Sequence, residues 1–163
     1  MQPKVFIYLA GSIMGCDVGE ARDWRIRFKR DLESIGIRGI DPLRCEPLIG
    51  DRYGAGYPAD PRFGTPRAIK AKNLMDVKGC DLTLAYFDYD LTERAVSLGT
   101  ICELAWAHAL GKPVICVSTH PRIVEHPVIN ASVDWMLGTL EEAFETIEGL
   151  FSDYIHWGLT WRG

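Results

Sequence analysis

Glu103 stands in the part of this sequence best suited to chemistry. It lies just inside an apolar helical pattern that follows a predicted strand and the glycine turn of residues 97–99. A second glycine turn, residues 11–15, follows the first apolar run of the chain. Open parallel sheets bind small ligands between two such strand-to-helix turns. A carboxylate in that position can attack the anomeric carbon of a sugar, so the pattern indicates a nucleophile.

The same carboxylate has a purely structural interpretation. Thr100 and Glu103 have the spacing of a capping box before an apolar run, in which Glu103 would accept a backbone N–H at the helix start. A helix N-terminus also stabilises a nearby anion by roughly 0.3–1 kcal/mol. The spacing is therefore compatible with a helix cap as well as with a nucleophile.

Hydroxyl groups accompany both glycine turns. Tyr8 ends the first apolar run, where an aromatic residue is usually part of the core, but beside Glu103 its hydroxyl could orient the carboxylate. Ser12 and Ser97 could bind a phosphate or a sugar, or could act as helix N-caps. The loop of residues 11–15 has neither the GxGxxG spacing nor a Walker lysine, so it is not a dinucleotide fingerprint or a P-loop.

Carboxylates that could move a proton surround the third predicted strand. Asp88 and Asp90 follow this strand, on the side where parallel sheets bind ligands, although most such loop carboxylates are only solvated. Asp81 opens the strand and is interpreted as structural, whereas Asp76 belongs to the preceding helix. The four histidines show no metal-ligand spacing, so no metal site is predicted.

Composition and charge disfavour several classes of protein. The 163 residues are 47% hydrophobic, which suits one domain with a sizeable core. The net charge of −4 disfavours nucleic-acid binding, and the basic residues at positions 22–30 fit the solvated side of a helix. No apolar run is long enough to span a membrane. Five cysteines without a CxxC pair, and an N-terminus without a signal peptide, indicate a cytoplasmic protein.

Apolar periodicity and turn residues predict alternating strands and helices. Strands are expected at residues 5–9, 37–40, 81–87, 114–117 and 133–137, and helices at 17–35, 66–79, 98–110, 126–131 and 139–151. The last helix is expected to open with a capping box of Thr139 and Glu142. Residues 42–65 show no period and predict a long loop suited to a lid or a binding segment.

This alternation predicts a single doubly wound α/β domain over residues 1–163. Its sheet is expected to be five-stranded, mostly parallel and flavodoxin- or Rossmann-like, with helices on both faces. Residues 152–163 contain two tryptophans and a tyrosine, and they are predicted to form an aromatic tail packed on this domain or on a neighbour.

Three segments of the chain occur in a recognisable order and spacing. They are residues 8–12 (YLAGS), residues 80–85 (CDLTLA) and residues 97–107 (SLGTICELAWA), the last followed by LGKPV. Together, over residues 4–137, they resemble the nucleoside 2-deoxyribosyltransferase family and its nucleotide N-glycosidase relatives. The Gly-Thr-x-x-Glu-Leu-x-x-Ala pattern is fairly specific, and it favours Glu103 as a nucleophile over the helix cap.

The resemblance implies a mechanism. Glu103 would attack C1′ of the deoxyribose and displace the base, and a second base, or water in the hydrolase branch, would then accept the sugar. Tyr8 would hold the carboxylate, and Asn130 would come from a neighbouring subunit, which implies a homo-oligomer with shared active sites. The implied partners are a nucleoside or nucleotide and a free nucleobase, with no cofactor. The expected substrate contacts are Gly11, Ser12, Asn73, Asp88, Ser97, Gly99 and Asn130.

Two positions depart from the transferase pattern. Many transferases have aspartates where this chain has Asn73 and Ser97, and those acids handle the base and its proton. An amide and a hydroxyl cannot act as acids in their place. Asp76, one helical turn after Asn73, is therefore the expected catalytic substitute, with Asp88 and Asp90 as alternatives.

Ser97 also supports a second function. Relatives that cleave nucleoside 5′-monophosphates carry phosphate-binding serines that resemble Ser12 and Ser97. They often add an arginine where this chain has Met14. The positive charge could instead come from one of three places: Arg22, Arg25 or residues 44–67. A nucleotide N-glycosidase, a nucleotide-binding domain that does not react and a structural α/β subunit are therefore the alternatives.

Overall fold

The computed structural model has a five-stranded sheet at its centre and describes residues 5–44, 48–49, 52–53, 61–87 and 95–156. The strands are β1 (Phe6–Gly11), β2 (Arg38–Ile40), β3 (Leu48–Ile49), β4 (Arg52–Tyr53), β5 (Leu82–Tyr86), β6 (Val114–Val117) and β7 (Trp135–Leu137). The helices are α1 (Val18–Ser34), α2 (Pro61–Gly64), α3 (Pro66–Gly79), α4 (Leu98–Ala109), α5 (Pro121–Val124), α6 (Pro127–Ala131) and α7 (Leu140–His156). None of the helices in these ranges is long and apolar enough to cross a membrane.

The sheet has the spatial order β2-β1-β5-β6-β7, and each neighbouring pair of strands is parallel. Numbered along the chain within this sheet, the order is 2-1-3-4-5, the flavodoxin-like arrangement. The predicted five-stranded α/β fold is confirmed, with a sheet that is parallel throughout. The strand order reverses at β1, and folds of this kind bind ligands at the carboxyl ends of the strands beside that point.

Apolar side chains cover both faces of the sheet, because successive residues of a strand point to opposite sides. Ile7 and Leu9 of β1 belong to the core under α1 and α7. Tyr8 and Ala10 belong to the core under α3 and α4. Polar residues on the inner sides of α3 and α4 therefore lie on the same face of the sheet as the Tyr8 side chain.

The segment predicted to be a structureless loop, residues 42–65, contains the β3–β4 antiparallel hairpin and the short helix α2. Tyr53 of β4 is buried against Cys16 and Ala21. Its backbone pairs with the first glycine loop, from Tyr53 N to Cys16 O at 3.1 Å and from Gly15 N to Tyr53 O at 2.9 Å. The prediction was wrong here because a two-residue strand is too short to show a period.

Side-chain caps define where the longer helices begin, since they satisfy backbone N–H groups that have no partner within the helix. Asp17 caps α1 in a capping box with Glu20. Thr65 caps α3 by accepting Ala68 N at 3.2 Å. The predicted capping box at the start of α7 is confirmed, with Glu142 N donating to Thr139 Oγ1 at 3.1 Å and Thr139 N donating to Glu142 Oε2 at 3.2 Å.

The C-terminal region differs from the prediction at two points. Helix α5 was not predicted, and α7 continues past residue 151 to His156. Part of the predicted aromatic tail is therefore helical, and Tyr154 and Ile155 pack against the core under α1 and α7. Residues 157–163 lie outside the described part of the chain.

Candidate active site

Glu103 lies in α4 with 4% of its surface exposed. Its Oε1 accepts a hydrogen bond from the Tyr8 hydroxyl of β1 at 2.7 Å and a second one from Asn73 Nδ2 of α3 at 2.8 Å. Within the described ranges, Oε2 accepts no hydrogen bond. One oxygen of the carboxylate is thus held by two donors, and the other keeps its lone pairs available.

The helix-cap interpretation of Glu103 is wrong. The N-cap of α4 is Ser97, whose Oγ accepts Thr100 N at 3.3 Å and the Thr100 hydroxyl at 2.8 Å. Glu103 lies one turn further along the helix, where the influence of the helix N-terminus has already declined. Its partners are side chains from β1 and α3, so Glu103 does not serve to begin the helix.

Burial and hydrogen bonding act in opposite directions on the Glu103 carboxyl. Loss of hydration raises its pKa from 4.5 to about 7. The hydrogen bonds from Tyr8 and Asn73 and the positive charges of Arg25 and Lys72 lower the pKa and so limit this rise. Burial, and then the neighbouring Glu103 charge, raise the Tyr8 pKa well above its usual value. Tyr8 is consequently a neutral donor, and the carboxyl titrates near neutral pH.

Gly11 ends β1 at a point where α1 approaches closely. A Cβ atom on Gly11 would lie 2.8 Å from Trp24 Cζ2 and 3.0 Å from Arg25 Nη2, which is too close for any larger residue. Gly11 O accepts a hydrogen bond from Arg25 Nη2 at 2.9 Å. The glycine is therefore required by packing, whether or not it also contacts a substrate.

Arg25 is wholly buried, although the basic residues of this helix were predicted to be solvated. Its guanidinium lies 4.5 Å from the Trp24 ring centroid and donates to the carbonyls of Leu9, Gly11 and Ala21. Burial lowers its pKa to about 10, so it remains a cation at neutral pH. The solvated interpretation was wrong for Arg25, and the buried guanidinium is not accessible to a phosphate.

Asp76 lies on the buried side of α3, as does Asn73. Its Oδ1 forms an ion pair with Arg44, while Oδ2 is buried without a hydrogen-bond partner in the described part of the chain. No hydrogen bond connects Asp76 to Glu103 among the described contacts. A role for Asp76 as the proton donor stays a prediction.

The remaining candidates lie at the borders of this site or away from it. Ser12 accepts a hydrogen bond from the Cys16 thiol at 3.4 Å, and Gly99 is exposed in the first turn of α4. Asn130 is exposed on α6 and donates to Val124 O at 3.1 Å. Asp88, like Asp90, lies outside the described residues. Substrate contacts at these positions stay predictions.

Comparison with known proteins decides the family. A family model described as nucleoside 2-deoxyribosyltransferase matches residues 7–150. The chain belongs to the nucleoside 2-deoxyribosyltransferase family. Membership confirms the predicted resemblance, and the activities of this family are deoxyribosyl transfer and N-glycosidic cleavage.

Solved structures with the fold of this family come from distant sequences. A 2-deoxyribosyltransferase from Bacillus psychrosaccharolyticus is 20% identical, with a TM-score of 0.56 over 86% of this chain and 90% of that one. A 2-desoxiribosyltransferase from Leishmania mexicana is 18% identical, with a TM-score of 0.60 over 88% and 96%. The CMP N-glycosidase BcmB of Clostridium botulinum is 17% identical, with a TM-score of 0.50 over 88% and 98%. A search of curated proteins finds no significant match.

From the sequence, Arg25 was named only as a possible cation for a phosphate, and Lys72 was not named. Arg25 falls within the apolar stripe of α1 that contains Ala21 and Leu32. A cation at a position of this kind could have indicated a buried charge. Lys72 donates to Asn73 Oδ1 at 2.7 Å and to Pro42 O at 2.6 Å. No local pattern marks it, because Pro42 is distant in the sequence.

Proposed function

We propose that this protein cleaves the N-glycosidic bond of a 2′-deoxynucleoside and transfers the deoxyribosyl group to a second nucleobase. The observation that carries the proposal is the buried Glu103 carboxylate, with Oε1 held by Tyr8 and Asn73. Two donors on one oxygen restrict the rotation of the carboxylate and leave Oε2 available for attack on an electrophile. Such orientation lowers the barrier to attack because the entropy of alignment is already lost before reaction.

In the proposed reaction, Glu103 Oε2 attacks C1′ as the bond between C1′ and the base nitrogen breaks. The bonding pair leaves with the base, which takes up one proton, and an ester joins Glu103 to the deoxyribose. A ring nitrogen of the second base then attacks C1′ and loses its proton. The carboxylate of Glu103 departs, which completes the exchange.

The leaving base needs a proton, and we assign its delivery to Asp76. Its Oδ2 is buried and has no hydrogen-bond partner among the described residues, and Asp76 lies one helical turn from Asn73. Asn73 and Ser97, which replace aspartates of many transferases, cannot donate a proton as acids. Asp88 and Asp90, which lie outside the described ranges, are the alternative donors.

A nucleoside 5′-monophosphate N-glycosidase is the second candidate. It is favoured by the position of Ser97 as the N-cap of the twelve-residue helix α4, since backbone N–H groups at a helix N-terminus bind phosphate. The fold similarity to a CMP N-glycosidase agrees with this alternative. This alternative also needs a cation to neutralise the bound phosphate. Arg25 cannot supply it, because its side chain is wholly buried.

We further propose a homo-oligomer in which Asn130 completes the site of a neighbouring copy. Asn130 is exposed, and its neighbour Val128 leaves 67% of an apolar side chain exposed. Leu98, at the start of the helix that carries Glu103, is 77% exposed. Mixing Glu103→Gln protein with Asn130→Ala protein should restore activity that neither variant has alone, and failure to do so would contradict shared sites.

The deciding experiment incubates the protein with deoxyadenosine or deoxycytidine, with and without a second free base, and with the matching 5′-monophosphates. Chromatography separates the products, and Glu103→Gln is the control. Base exchange that is absent in the variant would establish the transferase. Base release only from monophosphates would establish the hydrolase, and no cleavage at all would favour a binding domain.

A further inference from the structure

Lys72 is a half-buried cation of α3 whose ammonium group is bound on two sides. Nζ donates to Asn73 Oδ1 at 2.7 Å and to Pro42 O at 2.6 Å. Asn73 donates in turn from Nδ2 to Glu103 Oε1 at 2.8 Å. A chain of hydrogen bonds therefore runs from the backbone after β2, through Lys72 and Asn73, to the candidate nucleophile.

The orientation of the Asn73 amide follows from its two neighbours. An ammonium group can only donate hydrogen bonds and an ionised carboxylate can only accept them. The amide oxygen therefore faces Lys72, and the amide nitrogen faces Glu103. Half a turn of the amide would place two acceptors, Asn73 Oδ1 and Glu103 Oε1, against each other. Lys72 selects the orientation in which Asn73 stabilises the ionised carboxylate.

The segment that anchors Lys72 is fixed on both sides of Pro42. Asp41 forms an ion pair with Lys29 of α1 at 2.8 Å, and Arg44 forms one with Asp76 of α3. The Pro42 carbonyl is consequently an acceptor in a constrained position. It limits the motion of the ammonium group at the end of its flexible four-carbon chain.

We propose that Lys72 is a positioning residue for Glu103 and acts through the Asn73 amide. This inference rests on the proposed role of Glu103 as the nucleophile. Among the described residues, the titratable and charged groups that act on the carboxyl are Tyr8 from β1, Arg25 from α1 and Lys72 from α3. Loss of Lys72 removes one of these two cations and frees the amide to rotate, so the carboxyl should keep its proton to higher pH.

The first test measures turnover. Lys72→Met keeps the aliphatic chain and should lower kcat about 10-fold with little change in KM, as expected for the loss of a charge-assisted contact. The pH at which kcat/KM falls on the acid side should rise. Lys72→Arg keeps a charged donor and should keep most of the activity, and Lys70→Met, at an exposed lysine of the same helix, should change neither quantity.

A double-mutant cycle separates positioning from an independent effect. If Lys72 acts through Asn73, Lys72→Met should lower kcat by no more than about twofold in an Asn73→Ala background. Equal losses in both backgrounds would overturn the inference. So would a Lys72→Met enzyme with the parental pH profile.

A second readout needs no substrate, so it separates this inference from the proposed function. The parent should lose stability relative to Glu103→Gln as pH rises above about 4.5, and the pH above which this difference in melting temperature stops growing reports the titration of Glu103 in the folded state. In a Lys72→Met background this pH should rise, and in a Lys72→Arg background it should equal the value measured with the parental lysine. A rise in a protein that cleaves nothing would support the positioning role while refuting the activity, whereas an unchanged pH would overturn the positioning role.

Discussion

The Tyr8 hydroxyl lies 2.7 Å from Glu103 Oε1, although 95 positions separate the two residues in the sequence. Tyr8 is wholly buried in β1, an inner strand of the sheet, and Glu103 is almost wholly buried in α4. A phenol whose pKa is raised well above its usual value by burial stays protonated and can only donate to the carboxylate. The strand therefore fixes the orientation of a side chain that belongs to a helix.

Tyr8→Phe should lower kcat by about 10- to 100-fold, since a hydrogen bond to a charged group contributes about 1.5–3 kcal/mol. The ring would remain in its apolar cluster, so the fold should persist. Steady-state kinetics beside a thermal melt would check this expectation. A variant with parental kcat would show that Tyr8 packs in the core without orienting Glu103.

Glu103→Gln should be more stable than the parent above neutral pH. Burial raises the pKa of Glu103 from 4.5 to about 7, so the folded state binds this proton at pH values where the unfolded chain has released it. The parent is therefore destabilised as pH rises through this window, by about 3 kcal/mol when the carboxyl is fully ionised. Glutamine does not titrate and avoids the cost.

Chemical denaturation of both proteins at several pH values would measure this difference. The two free energies of unfolding should converge below about pH 4.5, where the carboxyl is protonated in both states. A variant destabilised by about 1 kcal/mol at every pH would instead behave like a lost helix cap.

Asn73→Asp should move the acid limb of the kcat/KM profile to higher pH. In the parent, this limb should lie near pH 7, because an ionised Glu103 is needed for attack and burial raises its pKa to about 7. A second carboxylate beside Glu103 would oppose its ionisation, and the Asn73 donor would be lost. The pH dependence of kcat/KM measures the shift.

Asn73→Ala is the matched control for this prediction. It removes the same donor without adding a charge, so its acid limb should move less than that of Asn73→Asp. Equal shifts in the two variants would mean that Asn73 contributes to the site only through its hydrogen bond to Glu103.

Ser97→Ala tests whether a 5′-phosphate is bound. Loss of this N-cap should lower stability by about 1 kcal/mol, and on the transferase proposal KM for deoxynucleosides should remain close to the parental value. A KM that rises for monophosphates alone would favour the nucleotide N-glycosidase. Thr139→Ala, which removes the cap of α7, is a control for cap loss that leaves α4 intact.

Local patterns in the sequence predicted most of the secondary structure. The bounds of α3 and β6 match the prediction, because Pro66 begins the helix, and Val114 to Val117 are a continuous apolar run. These signals depend on interactions between residues a few positions apart. The β3–β4 hairpin lacked such a signal, since Tyr53 is held by backbone hydrogen bonds to the distant Gly15 and Cys16.

The sequence by itself also identified Glu103, Tyr8 and Asn73 as candidates, through residue type and a family motif. The local spacing of Thr100 and Glu103 fitted a helix cap as well as a nucleophile, and only the family motif favoured the nucleophile. In the structure, Ser97 is the cap. Only the tertiary structure placed α3 and α4 on one face of β1, which brought the three side chains together.

The same packing buried Arg25 and brought Lys72 to the Pro42 carbonyl, 30 positions away in the sequence. The physical reason is the range of the interactions. Helix periodicity and capping act over about one turn of chain, whereas the charge and orientation of Glu103 are determined by groups from β1, α1 and α3. Such groups become neighbours only when the sheet has assembled and its helices have packed on it.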